Sequence, residues 1–253
     1  MKLSIVEVQN HILEIMKVTI EICNRNNITY YTQAGTVLGV IRHGGFIPWD
    51  HDADLIIPNN EIDRFAEVME RELPDKYVID YFKVDKKTMR QFPRIGIKGH
   101  STNLLHLDIF RLIGLPDERE AQLSMVSEAR GYTQNLALMR FSIPKLIAKG
   151  KFKHAFMKLI GKKYYYIDLF DDLCNRYDYS KANYVMNPSG KYKEKNIFKK
   201  EVYGEGLLRD FSGLEVRIPS EYDFYLKQYY GDYMEYPSQK EIDDAMNRIY
   251  YVE

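Results

Sequence analysis

The sequence predicts a protein of the α/β or α+β class, with a mixed β-sheet flanked by helices, and two observations carry this prediction. The chain has 253 residues and 45% hydrophobic side chains, which suffices for one large core. Strand-like segments concentrate in residues 1–115, whereas residues 116–175 follow a mainly helical pattern. We therefore expect a strand-rich half, 1–115, and a mainly helical, loop-rich half, 116–253, packed on it or continuous with it.

Composition and charge exclude several classes of protein. The 36 basic and 36 acidic side chains balance, so the net charge gives no reason to expect a nucleic-acid partner. Cys23 and Cys174 lie too far apart in sequence to form a metal-ligand motif. Glu7 stands where a secretory signal needs its apolar run, and no stretch reaches the roughly 18 apolar residues that span a bilayer. We expect a cytoplasmic protein that at most attaches to a membrane surface.

The first element is an amphipathic helix over residues 4–25, because apolar side chains recur there at helical spacing. The pattern then predicts a strand at 28–33, a short helix at 37–43, a strand ending at 58, a helix at 59–73, and strands at 77–84, 92–98 and 104–112. Asn59 or Asn60 is the expected N-cap of the helix at 59–73. Helices continue to about residue 175, and one more is expected near 220–230.

Asp52 and Asp54 are the strongest candidates for chemistry. On a strand, their side chains would point to one face, with Cα atoms about 7 Å apart. Two carboxylates in that arrangement repel one another unless one takes up a proton or a cation binds between them. Hard oxygen ligands suit Mg²⁺, or Mn²⁺. The alternative interpretation is a solvated strand end.

A third acid, Asp108, lies within the apolar segment 104–110. A buried acid at the centre of a strand needs a partner. Either it pairs with an arginine such as Arg94 or Arg111, or it joins the other two aspartates at a metal. In the second case one oxygen remains to accept a proton from an attacking hydroxyl.

Gly35 and Thr36 stand between a predicted strand and a predicted helix, 17 residues before Asp52. Backbone N–H groups at a helix N-terminus, together with a hydroxyl, form a corner that binds phosphate. A glycine there lets the phosphate approach the backbone. A simple turn explains the dipeptide as well, but its combination with the carboxylates favours a phosphate and metal site.

These residues belong to a longer run, residues 35–54 (GTVLGVIRHGGFIPWDHDAD), that resembles the signature of the LicD family. Further blocks that resemble the family are LDIF at 107–110, PSGKY at 188–192, IPSEYD at 218–223 and YGDYM at 230–234. The similarity covers about residues 5–240. It implies a nucleotidyltransferase-like fold, related to that of fukutin-type transferases.

The resemblance implies metal-dependent transfer of phosphocholine from CDP-choline to a hydroxyl of a cell-surface glycan, of the teichoic acid or lipopolysaccharide type, with release of CMP. It maps the metal positions onto Asp52 and Asp54, with Asp108 as the third acid and Mg²⁺ or Mn²⁺ as the cofactor. His51 departs from the acid that the family often has there, and on an extended strand it would point away from its two aspartate neighbours.

Two alternatives to this function stay open. One is an enzyme that transfers ribitol phosphate or glycerol phosphate from another CDP-alcohol, or a whole nucleotide. The other is a non-catalytic protein that binds a glycan or a membrane.

Four further residues are candidates for substrate contacts. Arg42 either binds a donor phosphate with its planar fork or pairs with Asp50, on the rim of the site. Trp49, the only tryptophan, either forms a cation–π wall for choline or packs its loop. Lys98, which shares a predicted strand with Arg94, either faces phosphate or forms a surface ion pair.

Residues 130–163 form a segment that is both basic and apolar, called the basic segment below. No acid occurs between Glu128 and Asp168, whereas nine lysine and arginine side chains alternate with apolar ones. The segment is either the solvated face of a helical subdomain or an attachment to a polyanionic glycan or an anionic membrane. A lipid-linked glycan acceptor would place the protein at the inner face of the cytoplasmic membrane.

Overall fold

A computed structural model describes residues 2–100, 104–246 and 250–251. The helices are α1 (Ile5–Arg25), α2 (Gly35–His43), α3 (Ile62–Glu72), α4 (Arg119–Met139), α5 (Ile143–Ala148), α6 (Phe152–Leu159), α7 (Tyr165–Cys174), α8 (Tyr222–Tyr230) and α9 (Gln239–Met246). The strands are β1 (Lys2–Leu3), β2 (Tyr31–Thr32), β3 (Asp54–Pro58), β4 (Tyr77–Asp80), β5 (Arg94–Ile97), β6 (His106–Leu115), β7 (Tyr184–Met186), β8 (Ile197–Lys199), β9 (Leu207–Phe211), β10 (Leu214–Ile218) and β11 (Tyr250–Tyr251). The predicted α/β class is confirmed.

The central sheet has seven strands among the described residues, and β6 lies in its middle. Five strands follow the order β2-β3-β6-β5-β4, in which β3 and β6 are parallel and the other pairs are antiparallel. The first part of β6 pairs with β5, and its last part pairs with β7, which continues to β8. The second half of the chain therefore extends this sheet, and the division at residue 115 remains a prediction.

Helix α1 confirms the prediction for residues 4–25 and covers one face of the sheet. Ser4 is its N-cap, and a capping box joins Ser4 to Glu7. The apolar face includes Ile12 and Met16, which are fully buried against α3, β5 and β6. The predicted amphipathic spacing therefore faces the core.

Asn59 does not cap α3, contrary to the sequence-based prediction. A short 3-10 turn precedes α3, and no side chain caps either element. The Asn59 amide instead donates to the carbonyl oxygen of Cys174 and accepts from Nε of Arg111, at 2.9 and 2.8 Å. Asn59 thus ties the sheet to α7.

Helices α4 to α8 confirm the helical predictions for the second half of the chain. Helix α9 has no counterpart in the prediction. Its apolar residues Ile242, Ala245 and Met246 recur at helical spacing, but the helix has only eight residues and only Ala245 is buried. Within the described part of the chain, no helix combines the length and the hydrophobicity needed to cross a bilayer.

Candidate active site

A cleft of about 410 Å³ opens beside the start of β3. Its lining includes five of the residues predicted from the sequence, namely Gly35, Asp50, Asp52, Asp54 and Asp108. The other four predicted site residues, Thr36, Arg42, Trp49 and Lys98, are not part of that lining. The sequence therefore located the acidic part of the cleft better than its surroundings.

A larger cavity of about 890 Å³ lies elsewhere, around Tyr179 and Lys200. Its lining contains none of the nine site residues predicted from the sequence. The smaller cleft is the candidate active site because it gathers four aspartates in one place.

The register of the sheet places Asp54 beside Asp108. Asp54 is opposite Asp108 on the parallel pair β3 and β6, and Arg94 of β5 is opposite Asp108 on its other side. Neighbouring strands lie about 4.8 Å apart, and paired side chains share a face of the sheet. A row of acid, acid and cation therefore crosses three strands at the cleft.

Asp108 pairs with Arg94, which is the structural alternative that the sequence left open. Nε of Arg94 donates to Oδ1 at 2.5 Å, and Nη2 donates to Oδ2 at 2.8 Å. The two side chains are only 11% and 13% exposed. Nε2 of His106 lies 3.7 Å from Oδ2, but burial and the charge of Arg94 lower the pKa of His106 to about 4, so the imidazole is neutral near pH 7. Arg94 is thus the cation that balances Asp108.

Asp50, Asp52 and Asp54 lie close enough to disfavour one another's charge. Strand β3 begins at Asp54, so Asp52 lies in the loop before the strand. The sequence-based argument from alternating side chains had assumed that both aspartates lie on the strand. Burial raises the pKa of Asp54 well above its ordinary value, and the charges of Asp52 and Asp108 raise it further. Burial and Asp52 also raise the pKa of Asp50 to about 7. A cation in the cleft would relieve this repulsion.

Lys191 is a cleft residue that the sequence analysis did not assign to the site. It lines the cleft, and its charge lowers the pKa of Asp50 against the larger effects of burial and Asp52. The available signal was the PSGKY block at 188–192, quoted only for its family resemblance. Gly190 in this block has no room for a side chain, because a Cβ atom would collide with the side chain of Asn196.

Asp52 and Asp54 fit a divalent cation of the Mg²⁺ type. Among the described residues, no three or more His, Cys, Asp or Glu side chains form a ready-made metal centre. Mg²⁺ is usually held by one or two carboxylates together with substrate phosphates and water. Two aspartates would meet this requirement on the protein side. Metal binding by Asp52, Asp54 and Asp108, whose oxygens both contact Arg94, stays a prediction.

The turn before α2 combines a glycine at the cleft with a strained residue. A Cβ atom on Gly35 would lie 3.3 Å from Oδ2 of Asp50, so the glycine leaves room for that carboxylate. Oγ1 of Thr36 accepts the N–H of Asp54 at 2.9 Å, which fastens the start of β3 to α2. Ala34 has φ 45° and ψ −110°, and such a conformation costs of the order of 1–3 kcal/mol in a residue with a side chain.

Helix α8 holds this strained turn through a tyrosine hydroxyl. The N–H of Ala34 donates to Oη of Tyr225 at 2.9 Å, and the Tyr225 hydroxyl donates to Oε1 of Gln33 at 2.7 Å. Tyr225 is fully buried. One hydroxyl therefore serves both the backbone and the side chain of the turn.

The hydrogen bonds continue from Gln33 to the other wall of the cleft. Nε2 of Gln33 donates to Oη of Tyr229 at 3.4 Å, and the Tyr229 hydroxyl donates to Oδ1 of Asn196 at 3.1 Å. The Asn196 amide then donates to the carbonyl oxygen of Gly190 at 3.1 Å. This tyrosine chain, Ala34–Tyr225–Gln33–Tyr229–Asn196–Gly190, joins the turn before α2 to the loop that carries Lys191.

Arg42 lies outside the cleft and binds the C-terminal segment. Its Nη1 donates to the carbonyl oxygens of Tyr233 and Glu235 at 2.9 and 3.1 Å. The guanidinium also lies 4.7 Å from the ring centre of Tyr236 and 5.8 Å from that of Trp49. These contacts differ from both roles considered for Arg42, and the substrate contacts of Arg42 and Trp49 remain predictions.

Lys98 is exposed just beyond the end of β5, four residues from Arg94. That spacing corresponds to about 13 Å along a strand.

The cleft lining includes Asp50 and Asp52 but not His51 between them. The orientation of His51 relative to Asp52 and Asp54 stays a prediction.

Comparisons with known proteins identify a matching family and similar chains. The matching family is "LicD/FKTN/FKRP, nucleotidyltransferase domain", over residues 27–136. The chain is 25% identical over 257 residues to the lipopolysaccharide cholinephosphotransferase LicD of Haemophilus influenzae, with 95% of each chain covered. It is 33% identical over 78 residues to an uncharacterised protein of Rickettsia prowazekii, covering 30% of this chain and 29% of that protein. For an uncharacterised protein of Rickettsia typhi the identity is 39% over 56 residues, covering 22% and 18%.

The matched range contains the four aspartates of the cleft and the turn before α2. Lys191, Asn196 and helix α8 lie beyond it, within the part aligned with the Haemophilus protein. Residues 27–136 therefore match the LicD-family nucleotidyltransferase domain, which confirms the resemblance found in the sequence.

Proposed function

We propose that this protein transfers phosphocholine from CDP-choline to a hydroxyl of a cell-surface glycan, of the lipopolysaccharide or teichoic acid type, and releases CMP. The observation that carries the proposal is the register that sets Asp54 beside Asp108 in a cleft that also contains Asp52 and Lys191. The LicD-family domain and the lipopolysaccharide cholinephosphotransferase that aligns with 95% of the chain support the choice of phosphocholine.

The charges in the cleft suit a diphosphate donor. Asp52 and Asp54 would hold Mg²⁺ or Mn²⁺, which when bound neutralises phosphate oxygens and stabilises the developing charge. Lys191 lines the same cleft as Asp50 and offers a second cation to the diphosphate. Gly35 keeps the turn before α2 open to a phosphate group. Most of the catalysis then comes from positioning and charge neutralisation, as in other phosphoryl transfers.

In the proposed reaction the acceptor oxygen attacks the phosphorus of phosphocholine, and the bond from that phosphorus to the CMP oxygen breaks. The acceptor hydroxyl loses its proton to Asp108, and CMP leaves with the electron pair of the broken bond. Arg94 fixes the orientation of Asp108 through two hydrogen bonds. Asp108 therefore orients the acceptor hydroxyl even before it accepts the proton.

The test is a panel of CDP-choline, CDP-ribitol and CDP-glycerol with Mg²⁺ and a glycan acceptor, followed by phosphorus NMR. Release of CMP together with phosphocholine on the glycan supports the proposal. If CMP is released only from CDP-ribitol or CDP-glycerol, that compound is the donor in place of CDP-choline. Nucleotide attached to the glycan would indicate nucleotidyl transfer. Binding of the glycan without turnover of any donor would favour a non-catalytic role.

Two variants make the assay specific. Asp54→Asn removes a proposed metal ligand, whereas Asp75→Asn changes an exposed aspartate 21 residues further along the chain. Turnover should be lost in the first and kept in the second.

A further inference from the structure

Helix α6 turns an apolar stripe towards the solvent. Phe152, Phe156 and Leu159 recur at i, i+4 and i+7, so they share one helix face. They are 66%, 60% and 74% exposed, whereas His154 and Met157 on the opposite side are buried. The sequence left open whether these apolar residues pack in the core, and the structure assigns them to the surface.

The exposed surface is larger than this stripe. Ile160, directly after α6, and Ile147, on the adjoining helix α5, are 48% and 49% exposed. We call the surface formed by the apolar residues 147, 152, 156, 159 and 160 and their neighbouring lysines the basic apolar face. Its exposed lysines include Lys145, Lys149, Lys151, Lys153, Lys162 and Lys163. A contiguous apolar patch with a polar rim is typical of a surface that contacts a partner.

We propose that the basic apolar face docks on an anionic phospholipid surface. The basic segment carries nine cationic side chains and no acid, and each lysine near such a surface raises the partition coefficient about fivefold. The apolar stripe would lie in the headgroup region, while the flexible lysine stems let their ammonium groups reach lipid phosphates.

The charge distribution favours lipid over a protein partner or a second copy of this chain. Lysine is depleted at the centre of protein–protein interfaces, whereas the exposed apolar residues here lie among lysines. Two copies that meet through this face would bring like charges together. The eight residues of α6 span only about 12 Å, which suits a helix that lies in the plane of the interface.

The experiment is co-sedimentation of the full-length protein with vesicles of phosphatidylcholine alone or mixed with phosphatidylglycerol, at low and high salt. Wild type should pellet with the mixed vesicles at low salt and lose most of its binding at high salt. K149E/K151E/K153E should reduce binding at least a hundredfold, because three attractive charges become repulsive. Lys158 is left unchanged because its Nζ donates to the carbonyl oxygen of Phe141.

A second variant, F152S/F156S/L159S, separates insertion from charge. It should weaken binding to mixed vesicles at both salt concentrations, and its exposed positions should leave the thermal melting unchanged. The matched controls are K17E/K86E/K240E for the charge change and Phe224→Ser for the loss of an exposed aromatic ring, and both should bind like wild type.

Three results would overturn the proposal. The first is that the wild type remains in the supernatant with mixed vesicles at low salt. The second is that the control variant K17E/K86E/K240E loses as much binding as K149E/K151E/K153E. The third is that vesicles of pure phosphatidylcholine bind the wild type as well as the mixed vesicles do. The docking proposal uses no residue of the cleft, so it stands or fails independently of phosphocholine transfer.

Discussion

Removal of the Asp171 carboxylate should destabilise the protein more than a typical surface substitution. Arg111 of β6 is 1% exposed, and its Nη1 donates to Oδ1 of Asp171 on α7 at 2.7 Å. The other oxygen of Asp171 lies 3.2 Å from Nζ of Lys83. In Asp171→Asn, Arg111 keeps its hydrogen bond to Asn59 but loses the anion that balances its charge.

The size of the expected loss of stability follows from the burial of the Arg111–Asp171 ion pair. Removal of one partner of a buried ion pair costs about 3–5 kcal/mol, because the remaining charge stays desolvated. Asp171 is 21% exposed, which places the expected loss at the lower end, about 3 kcal/mol. Against a total stability of about 5–15 kcal/mol, that loss is easily measured. Lys83 contributes little to it, because it keeps Asp63 at 2.9 Å.

The assay is urea unfolding at pH 7 with circular dichroism and tryptophan fluorescence as probes. Asp168→Asn is the matched control on the same helix, since Asp168 is exposed and lies near other acids. R111M/D171L should recover most of the loss, because a well-packed apolar pair of similar size replaces a buried ion pair at little cost. A stability of Asp171→Asn within about 1 kcal/mol of the control would refute the reasoning.

Four further outcomes are expected. Asp52→Asn and Asp54→Asn should each abolish turnover without lowering the melting temperature, and EDTA should stop turnover by the wild type. Near-normal activity in either variant, or in the wild type with EDTA, would contradict the metal assignment. Asp108→Asn should lower kcat more than donor affinity. It should also lower the urea midpoint, because it removes the carboxylate charge that both Arg94 hydrogen bonds reach; an unchanged kcat would make Asp108 structural. Tyr225→Phe should cost about 1–3 kcal/mol, because the half-buried N–H of Ala34 loses its acceptor and the buried Oε1 of Gln33 loses its donor. It should lower kcat while the circular dichroism spectrum stays native; wild-type kinetics would show that the turn needs no support. Hydrogen bonds from Arg71 and Arg25 lower the pKa of Glu72 to about 2, so Glu72→Gln should be less stable than the wild type near pH 7. The difference in stability should vanish as the pH falls from about 5 to 2 and Glu72 takes up a proton. Thermal melting across that pH range is the measurement.

The sequence predicted the parts of the site that depend on neighbours in the chain. Gly35 is recognisable because a strand–turn–helix pattern surrounds it, and Asp54 because it precedes an apolar run. Asp108 stands out as an acid among apolar residues. Its partner could not be chosen, because the pairing of Arg94 with Asp108 depends on strand register, which the local sequence does not encode.

Contacts between distant parts of the chain could not be predicted from the sequence. Arg42 donates to the carbonyl oxygens of Tyr233 and Glu235, backbone groups some 190 residues later, which no local pattern indicates. Tyr225 was one tyrosine among 21, with no pattern to mark its role. Helical spacing placed Phe152 and Phe156 on one face, but only the tertiary fold decides that this face is exposed.

The tyrosine chain also has a consequence for the order of events during synthesis. Ala34 and Tyr225 are 191 residues apart, so their hydrogen bond cannot form until the ribosome has released most of the chain. At about 5–20 residues per second, that interval lasts of the order of 10 seconds or more. Until then the strained turn at Ala34 has no hydroxyl to hold it and should relax to an ordinary conformation. The nascent protein is therefore expected to carry its aspartates early but to acquire a shaped cleft late, when α8 docks.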